Sequence, residues 1–209
     1  MVNVYMKNGN VKMLFLGSTG TGKSSIIYRY RGKSYHEGPT VGIEMSSHSV
    51  SNTDGRPPTW VRLWDMGGAR YWWTWIEHYI EDVDLLFIFY DVTNKKTLEE
   101  AGELLDGLVH RMHKFRTILV GNKTDLEEQR VISVFDINKF IGLQRSKGWQ
   151  LRHIECSLQN ITAFKKILDR VINGMKEINI PREFVTTGFN LDKSQKESSW
   201  GIDFLWGRA

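Results

Sequence analysis

Gly17-Ser18-Thr19-Gly20-Thr21-Gly22-Lys23-Ser24 closes an apolar run, Val11-Lys12-Met13-Leu14-Phe15-Leu16, and opens onto Ser25-Ile26-Ile27-Tyr28-Arg29-Tyr30. The run before it reads as a buried strand and the segment after it as a helix. The stretch matches G-x-x-x-x-G-K-[ST] in the strand, loop, helix setting that a phosphate-binding loop requires. Its glycines let the backbone turn tightly and gather consecutive N–H groups around an anion. The first turn of the helix, entered at Ser24 and Ser25, adds unpaired N–H groups and the positive end of its dipole. Lys23 offers a mobile positive charge to the outer phosphates, and the Ser24 hydroxyl is a candidate ligand for Mg²⁺, which prefers oxygens. The alternative, a glycine-rich turn with a solvated lysine, leaves the flanking strand and helix without a role.

Outward from this loop, strands and helices alternate. Arg31 to Met45, rich in Gly, Pro, Ser and His, reads as a loop at the mouth of the phosphate site, and such loops carry function more often than scaffold. A strand is predicted from Ser46 to Val50, then turn chemistry at Asn52-Thr53-Asp54-Gly55, then a returning strand Trp60 to Trp64. Tyr71 to Tyr79 reads as a short irregular helix. Leu85 to Tyr90 is apolar on both faces, as a central parallel strand covered by helices should be. An amphipathic helix is predicted over Thr97 to Met112, a strand over Thr117 to Gly121, a surface helix over Asp136 to Ser146, a strand over Leu151 to Cys156 and a last helix over Ala163 to Met175. This order predicts an α/β domain, a P-loop fold with a mostly parallel central sheet and helices on both faces, over residues 11–175. Residues 1–10 form an N-terminal extension and 176–209 a C-terminal tail.

Composition bounds the partners. A chain of 209 residues, 41% hydrophobic and 25% charged, matches a soluble globular protein with a full core. The net charge of +4 comes from scattered residues rather than a Lys/Arg block, so nucleic acid is not an expected partner. Cys156 is the single cysteine, which excludes an intrachain disulfide and points to a reducing, cytoplasmic setting. Val2 rather than glycine follows Met1, and no cysteine stands near Ala209, so no direct lipid anchor is expected. Membrane recruitment then requires a protein partner.

Three further segments complete a candidate nucleotide site. Asp65, at a strand end beside Gly67 and Gly68, is placed to hold Mg²⁺ through water, and Gly68 can bring its N–H close to a terminal phosphate. Asn122-Lys123-Thr124-Asp125 follows another strand. A carboxylate such as Asp125 can accept two N–H bonds from the edge of guanine, whereas adenine offers no matching donor pair. Asn122 can brace the phosphate loop, and the stem of Lys123 can cover the base while its amine stays wet. Thr40, within Gly38-Pro39-Thr40-Val41-Gly42, is a candidate for a hydroxyl that joins Mg²⁺ only when a third phosphate is present, which makes a nucleotide a switch.

Together these motifs resemble those of the Ras-like small GTPases. The resemblance covers Val11 to about Met175 and implies GTP/GDP and Mg²⁺ as ligands. It implies Gly17, Ser18, Thr19, Gly20, Thr21, Gly22, Lys23, Ser24 and Ser25 at the phosphates, with Ser24, Thr40 and Asp65 at the metal and Lys23, Thr40 and Gly68 in catalysis. Cys156-Ser157-Leu158 is similar to a degenerate last guanine motif, with Ser157 and Leu158 at the base. Tyr35 takes the place of an aromatic against the base. Thr40-Val41-Gly42-Ile43-Glu44 is similar to Rab proteins, and Trp64-Asp65-Met66-Gly67-Gly68 to Arf proteins; by resemblance this implies a role in membrane or vesicle trafficking. Where the family usually has a water-orienting glutamine this chain has Ala69, and Thr19 adds bulk near the terminal phosphate. Slow intrinsic hydrolysis is therefore expected. Arg70 is a candidate for neutralising phosphate charge, and Glu37 and Glu44 for orienting water.

Two aromatic stretches remain. Tyr71-Trp72-Trp73-Thr74-Trp75 holds more indole than one helix face can bury, so at least one ring is expected in water, as core edge or as partner surface. The tail carries five basic and five acidic residues with Phe184, Phe189, Trp200, Phe204 and Trp206. It either folds back on its own domain or serves as a docking segment over 182–209. Effector and regulatory proteins are expected to meet residues 34–45 and 66–80. Three functions fit: a GTP/GDP switch, a constitutively nucleotide-bound scaffold, and a P-loop kinase or ATPase, which Asp125 opposes.

Overall fold

The computed structural model describes residues 10–33, 38–50, 58–111 and 116–172. Tyr35, Glu37, the turn at 52–55, most of the N-terminal extension and the tail from 173 onward, including 182–209, lie outside the described residues.

Six strands form one sheet among the described residues, in the order β2-β3-β1-β4-β5-β6. They are β1 (Asn10–Gly17), β2 (Ile43–Val50), β3 (Thr59–Met66), β4 (Leu85–Asp91), β5 (Arg116–Asn122) and β6 (Leu151–Glu155). Only the β2–β3 pair is antiparallel. The expected α/β class with a mostly parallel sheet is what the chain adopts. All seven residues of β4 are buried, as a strand covered on both faces requires.

Side-chain alternation divides the core. Met13, Phe15, Phe87 and Phe89 point to the layer built with α1 (Lys23–Tyr30) and α5 (Thr162–Ile172), where Phe15 stacks on Phe87 at 4.9 Å. Leu14, Leu16, Leu86 and Ile88 point to the opposite layer. That layer contains α2 (Ile76–Tyr79), α3 (Lys95–Gly107) and α4 (Val134–Ser146). The period of two along β1 and β4 thus covers both faces with helices.

Several boundaries differ from the sequence reading. β2 begins at Ile43 rather than Ser46, because Ile43, Glu44 and Met45 pair with Met66, Asp65 and Trp64 and extend the hairpin. α3 starts at Lys95, where the Asn94 side chain accepts from the Lys96 amide at 3.1 Å. It ends at Gly107, a poor helix former, and the chain tightens into a 3-10 turn, Val109–Arg111. α4 starts at Val134 behind a reciprocal capping box of Ser133 and Asp136. The irregular helix after β3 is a 3-10 segment, Arg70–Trp75, continued by the single turn of α2.

The order of strands also locates the crevice. β1 is flanked by β3 on one side and β4 on the other, so connections leave its C-terminal end in opposite directions. Ligands of open α/β sheets sit at such a reversal, beyond the carboxyl ends of the strands.

Candidate functional site

The loop after β1 wraps the start of α1. Gly17 has φ 137° and Gly22 φ 85°, backbone that favours glycine, and neither has room for a Cβ: at Gly17 it would lie 2.4 Å from the Phe89 carbonyl oxygen, at Gly22 2.2 Å from Asn122 Nδ2. α1 begins without a side-chain cap, which leaves its first N–H groups facing the crevice. Lys23 lies folded under the loop and donates to the carbonyls of Gly17 (2.8 Å) and Ser18 (3.1 Å). Burial pulls its pKa down to about 8, against the pull of the Asp65 carboxylate.

Three oxygens from three distant segments meet beside it. Ser24 Oγ lies 2.7 Å from Thr40 Oγ1, and Thr40 Oγ1 lies 3.5 Å from Asp65 Oδ2. Asp65 Oδ1 is buried without a hydrogen-bond partner among the described residues. Burial raises the Asp65 pKa to about 6, with Ser24, Lys23 and Thr40 pulling the other way. A buried carboxylate with an unmatched oxygen, flanked by two hydroxyls, is chemically suited to a hard divalent cation. Among the described residues no three His, Cys, Asp or Glu side chains cluster as a metal set. The single carboxylate here leaves room for the water and phosphate oxygens that Mg²⁺ retains.

The second wall comes from the ends of β5 and β6. Asn122 Nδ2 donates to the Thr21 carbonyl at 2.8 Å and so braces the phosphate loop. Lys123, at φ 68°, pairs with Asp91 at 2.6 Å. Burial works against the Asp91 charge, but Lys123 and Thr93 outweigh it and hold the carboxyl below its usual range. The Thr124 amide donates to the Cys156 carbonyl at 3.3 Å, which ties the β5 turn to the segment after β6. Cys156 itself is buried, and burial pushes its thiol up to about 12, so it is inert packing at neutral pH.

These walls enclose a cleft of about 240 Å³. Of the sequence-predicted residues, Thr19, Gly20, Gly22, Lys23, Ser24, Ser25, Thr40, Gly68, Asn122, Lys123, Asp125 and Leu158 line it. Gly17, Ser18, Thr21, Asp65 and Ser157 are buried and do not line it, and Tyr35 lies outside the described residues. Gly38, Pro39 and Leu126 also line the cleft and were not singled out; each is a sequence neighbour of a predicted residue or next but one to it. Gly68 sits directly on the phosphate loop, where a Cβ would come within 2.2 Å of the Thr19 amide nitrogen.

Two expectations are corrected. Arg70 is not among the residues lining the cleft: it pairs with Glu103, lies 3.8 Å from Glu100 and stacks on Trp73 at 5.0 Å. Glu44 is engaged by the Tyr28 hydroxyl at 2.9 Å, away from the cleft lining. The structure adds a contact with no sequence signal, between the Ser18 hydroxyl and Glu100 of α3. The expected exposed ring exists: Tyr71 and Trp75 are exposed, while Trp72 and Trp73 pack partly against the core.

A family model described as the Ras family matches residues 12–177. The chain belongs to the Ras family. Ras-related protein Rab-28 of Caenorhabditis elegans is 34% identical over 132 residues, 59% of this chain and 52% of that protein. The chain thus spans about half the length of that relative. Ras-family GTPases bind GTP and GDP, generally with Mg²⁺, and the cleft of this Ras-family chain lies where its sheet reverses direction.

Proposed function

We propose that this chain is a GTP/GDP switch of Rab-like type with slow intrinsic hydrolysis. The observation that carries the reading is the convergence of the Ser24 and Thr40 hydroxyls on the buried Asp65 carboxylate, whose Oδ1 has no partner among the described residues. Thr40 belongs to the loop before β2, so its position there couples that loop to whatever fills the cleft. Bound Mg²⁺ would neutralise phosphate charge beside Ser24, Thr40 and Asp65. Lys23 offers its ammonium to the outer phosphates, the α1 amides hold them, and Gly68 offers an N–H at the third. Asn122 fixes the loop while Asp125 reads guanine. Ala69 supplies no group to orient water, and Arg70 is held by Glu103, so these two neighbours of Gly68 leave the attacking water unassisted.

Residues 11–175 make the nucleotide-binding domain, with 1–10 as an extension and 176–209 as a tail. Effectors and regulators engage 34–45 and 66–80, with 182–209 as a further docking segment. The setting is cytoplasmic, with recruitment to membranes by a protein partner and a role in trafficking; the similarity to a Rab protein supports this branch over an Arf-like one. Ala69 also favours a second reading, a hydrolysis-deficient scaffold that stays nucleotide-bound. Binding of GTP, GDP and ATP to the purified chain with Mg²⁺ tests the core of the proposal. Micromolar or tighter uptake of both guanine nucleotides and rejection of ATP are expected; the reverse order, or no uptake, refutes it. Partner affinity that differs between GDP and GTP forms selects the switch over the scaffold.

A further inference from the structure

Trp72 lies in the joint between the two loops that face the third-phosphate position. A Cβ on Gly67 would fall 2.5 Å from the Thr40 carbonyl oxygen, 2.8 Å from Trp72 Cδ1 and 3.0 Å from Trp72 Nε1. The carbonyl and the indole N–H therefore border one small gap that exists because Gly67 has no side chain. On the far side of the ring, a Cβ on Gly42 would meet Trp72 at 3.7 Å. The Gly67 amide donates to the Gly42 carbonyl at 2.8 Å, which holds the two glycines together around the ring. Trp72 is fixed from behind, its amide donating to the Ala69 carbonyl at 2.9 Å and its ring lying 4.6 Å from that of Tyr71.

In this arrangement Trp72 Nε1 is buried and has no hydrogen-bond partner among the described residues. An unmade buried donor costs more than an ordinary hydrogen bond yields, so any state that supplies an acceptor is favoured. The acceptor at hand is the Thr40 carbonyl, on the residue whose hydroxyl already faces Ser24 and Asp65.

We infer that the Trp72 indole N–H is a positioning group that reports the third phosphate: it donates to the Thr40 carbonyl in the GTP form and lacks that bond in the GDP form. The inference rests on the switch reading above. A bond made in one state alone shifts the equilibrium toward that state, and so selectively retains GTP.

The test uses the full chain labelled with ¹⁵N-tryptophan and loaded with GDP or GTPγS in the presence of Mg²⁺, with loading measured first. The Trp72 indole proton, assigned through Trp72→Phe or by sequential assignment, should move downfield and exchange more slowly in the GTPγS form. Trp72→Phe should release GTPγS roughly two- to tenfold faster, the worth of one such bond, and GDP at the unaltered rate. Should Trp72→Phe not fold, Trp72→Tyr and the indole spectrum of the unaltered chain carry the test. An indole resonance identical in the two forms, or equal acceleration of both nucleotides, makes Trp72 packing only and overturns the inference while leaving the switch intact. A chain that loads neither nucleotide overturns both.

Discussion

Replacing Asp65 by asparagine should stabilise the chain when nucleotide and metal are stripped away, and more at neutral pH than in acid. Asp65 is 3% exposed, and burial raises its pKa from 3.8 to about 6. A folded carboxyl with a raised pKa holds its proton where the unfolded one has lost it, so native stability falls as pH rises between these two values. Above pH 6 the full penalty applies, about 3 kcal/mol for a shift of roughly two units at 1.36 kcal/mol each. Asparagine keeps an oxygen to accept from Ser24 and Thr40 and carries no charge to desolvate. Urea denaturation in excess chelator should therefore show Asp65→Asn stabler than the unaltered chain by about 3 kcal/mol at pH 7.5 and by about 1 kcal/mol at pH 4.5. With GDP and Mg²⁺ present the order should reverse, because the charge then has its counter-ion. A difference between the two proteins that is the same at both pH values would refute the account of Asp65 as a buried charge awaiting a cation.

Three more outcomes follow from the same geometry. Burial holds Lys23 at about 8, so in the ligand-free chain it is largely neutral at pH 9, and stability without ligand should rise with pH from there toward the ordinary lysine value of 10.5. GDP binding at pH 9 should then draw close to one proton from buffer, measured by calorimetry in buffers of different ionisation heat; no uptake sinks the assignment of Lys23 to the phosphates. Gly22→Ala forces a side chain into left-handed backbone and against Asn122, which should cost roughly 2–3 kcal/mol in urea denaturation through strain and loss of the Asn122 bond to Thr21. Ala69→Gln should raise single-turnover phosphate release by at least about tenfold, and an unchanged rate would show that water positioning at this residue is not what limits hydrolysis.

Contiguous signals are legible in the sequence alone. The loop from Gly17 to Ser24 announces itself because a strand, a glycine turn and a helix start must adjoin for amides to converge on one anion. The same holds for Asn122 to Asp125 at the end of β5, and for the two-sided burial of β4. Boundaries were less legible: β2 gained Ile43 to Met45 because their partners, Met66, Asp65 and Trp64, lie at the far end of the hairpin's returning strand.

What only the folded chain decides is which charges and donors meet. Sequence put Arg70 beside Gly68 and left it a candidate for phosphate; Glu103 and Glu100, a helix away, took it instead. It put Trp72 in an aromatic run read as core edge or partner surface, and packing between Gly42 and Gly67 gave its indole a place near Thr40. Local motifs are written in adjacent residues because backbone geometry is local. Ion pairs and buried donors depend on residues separated by tens of positions, and their partners exist only once the sheet has brought those segments together.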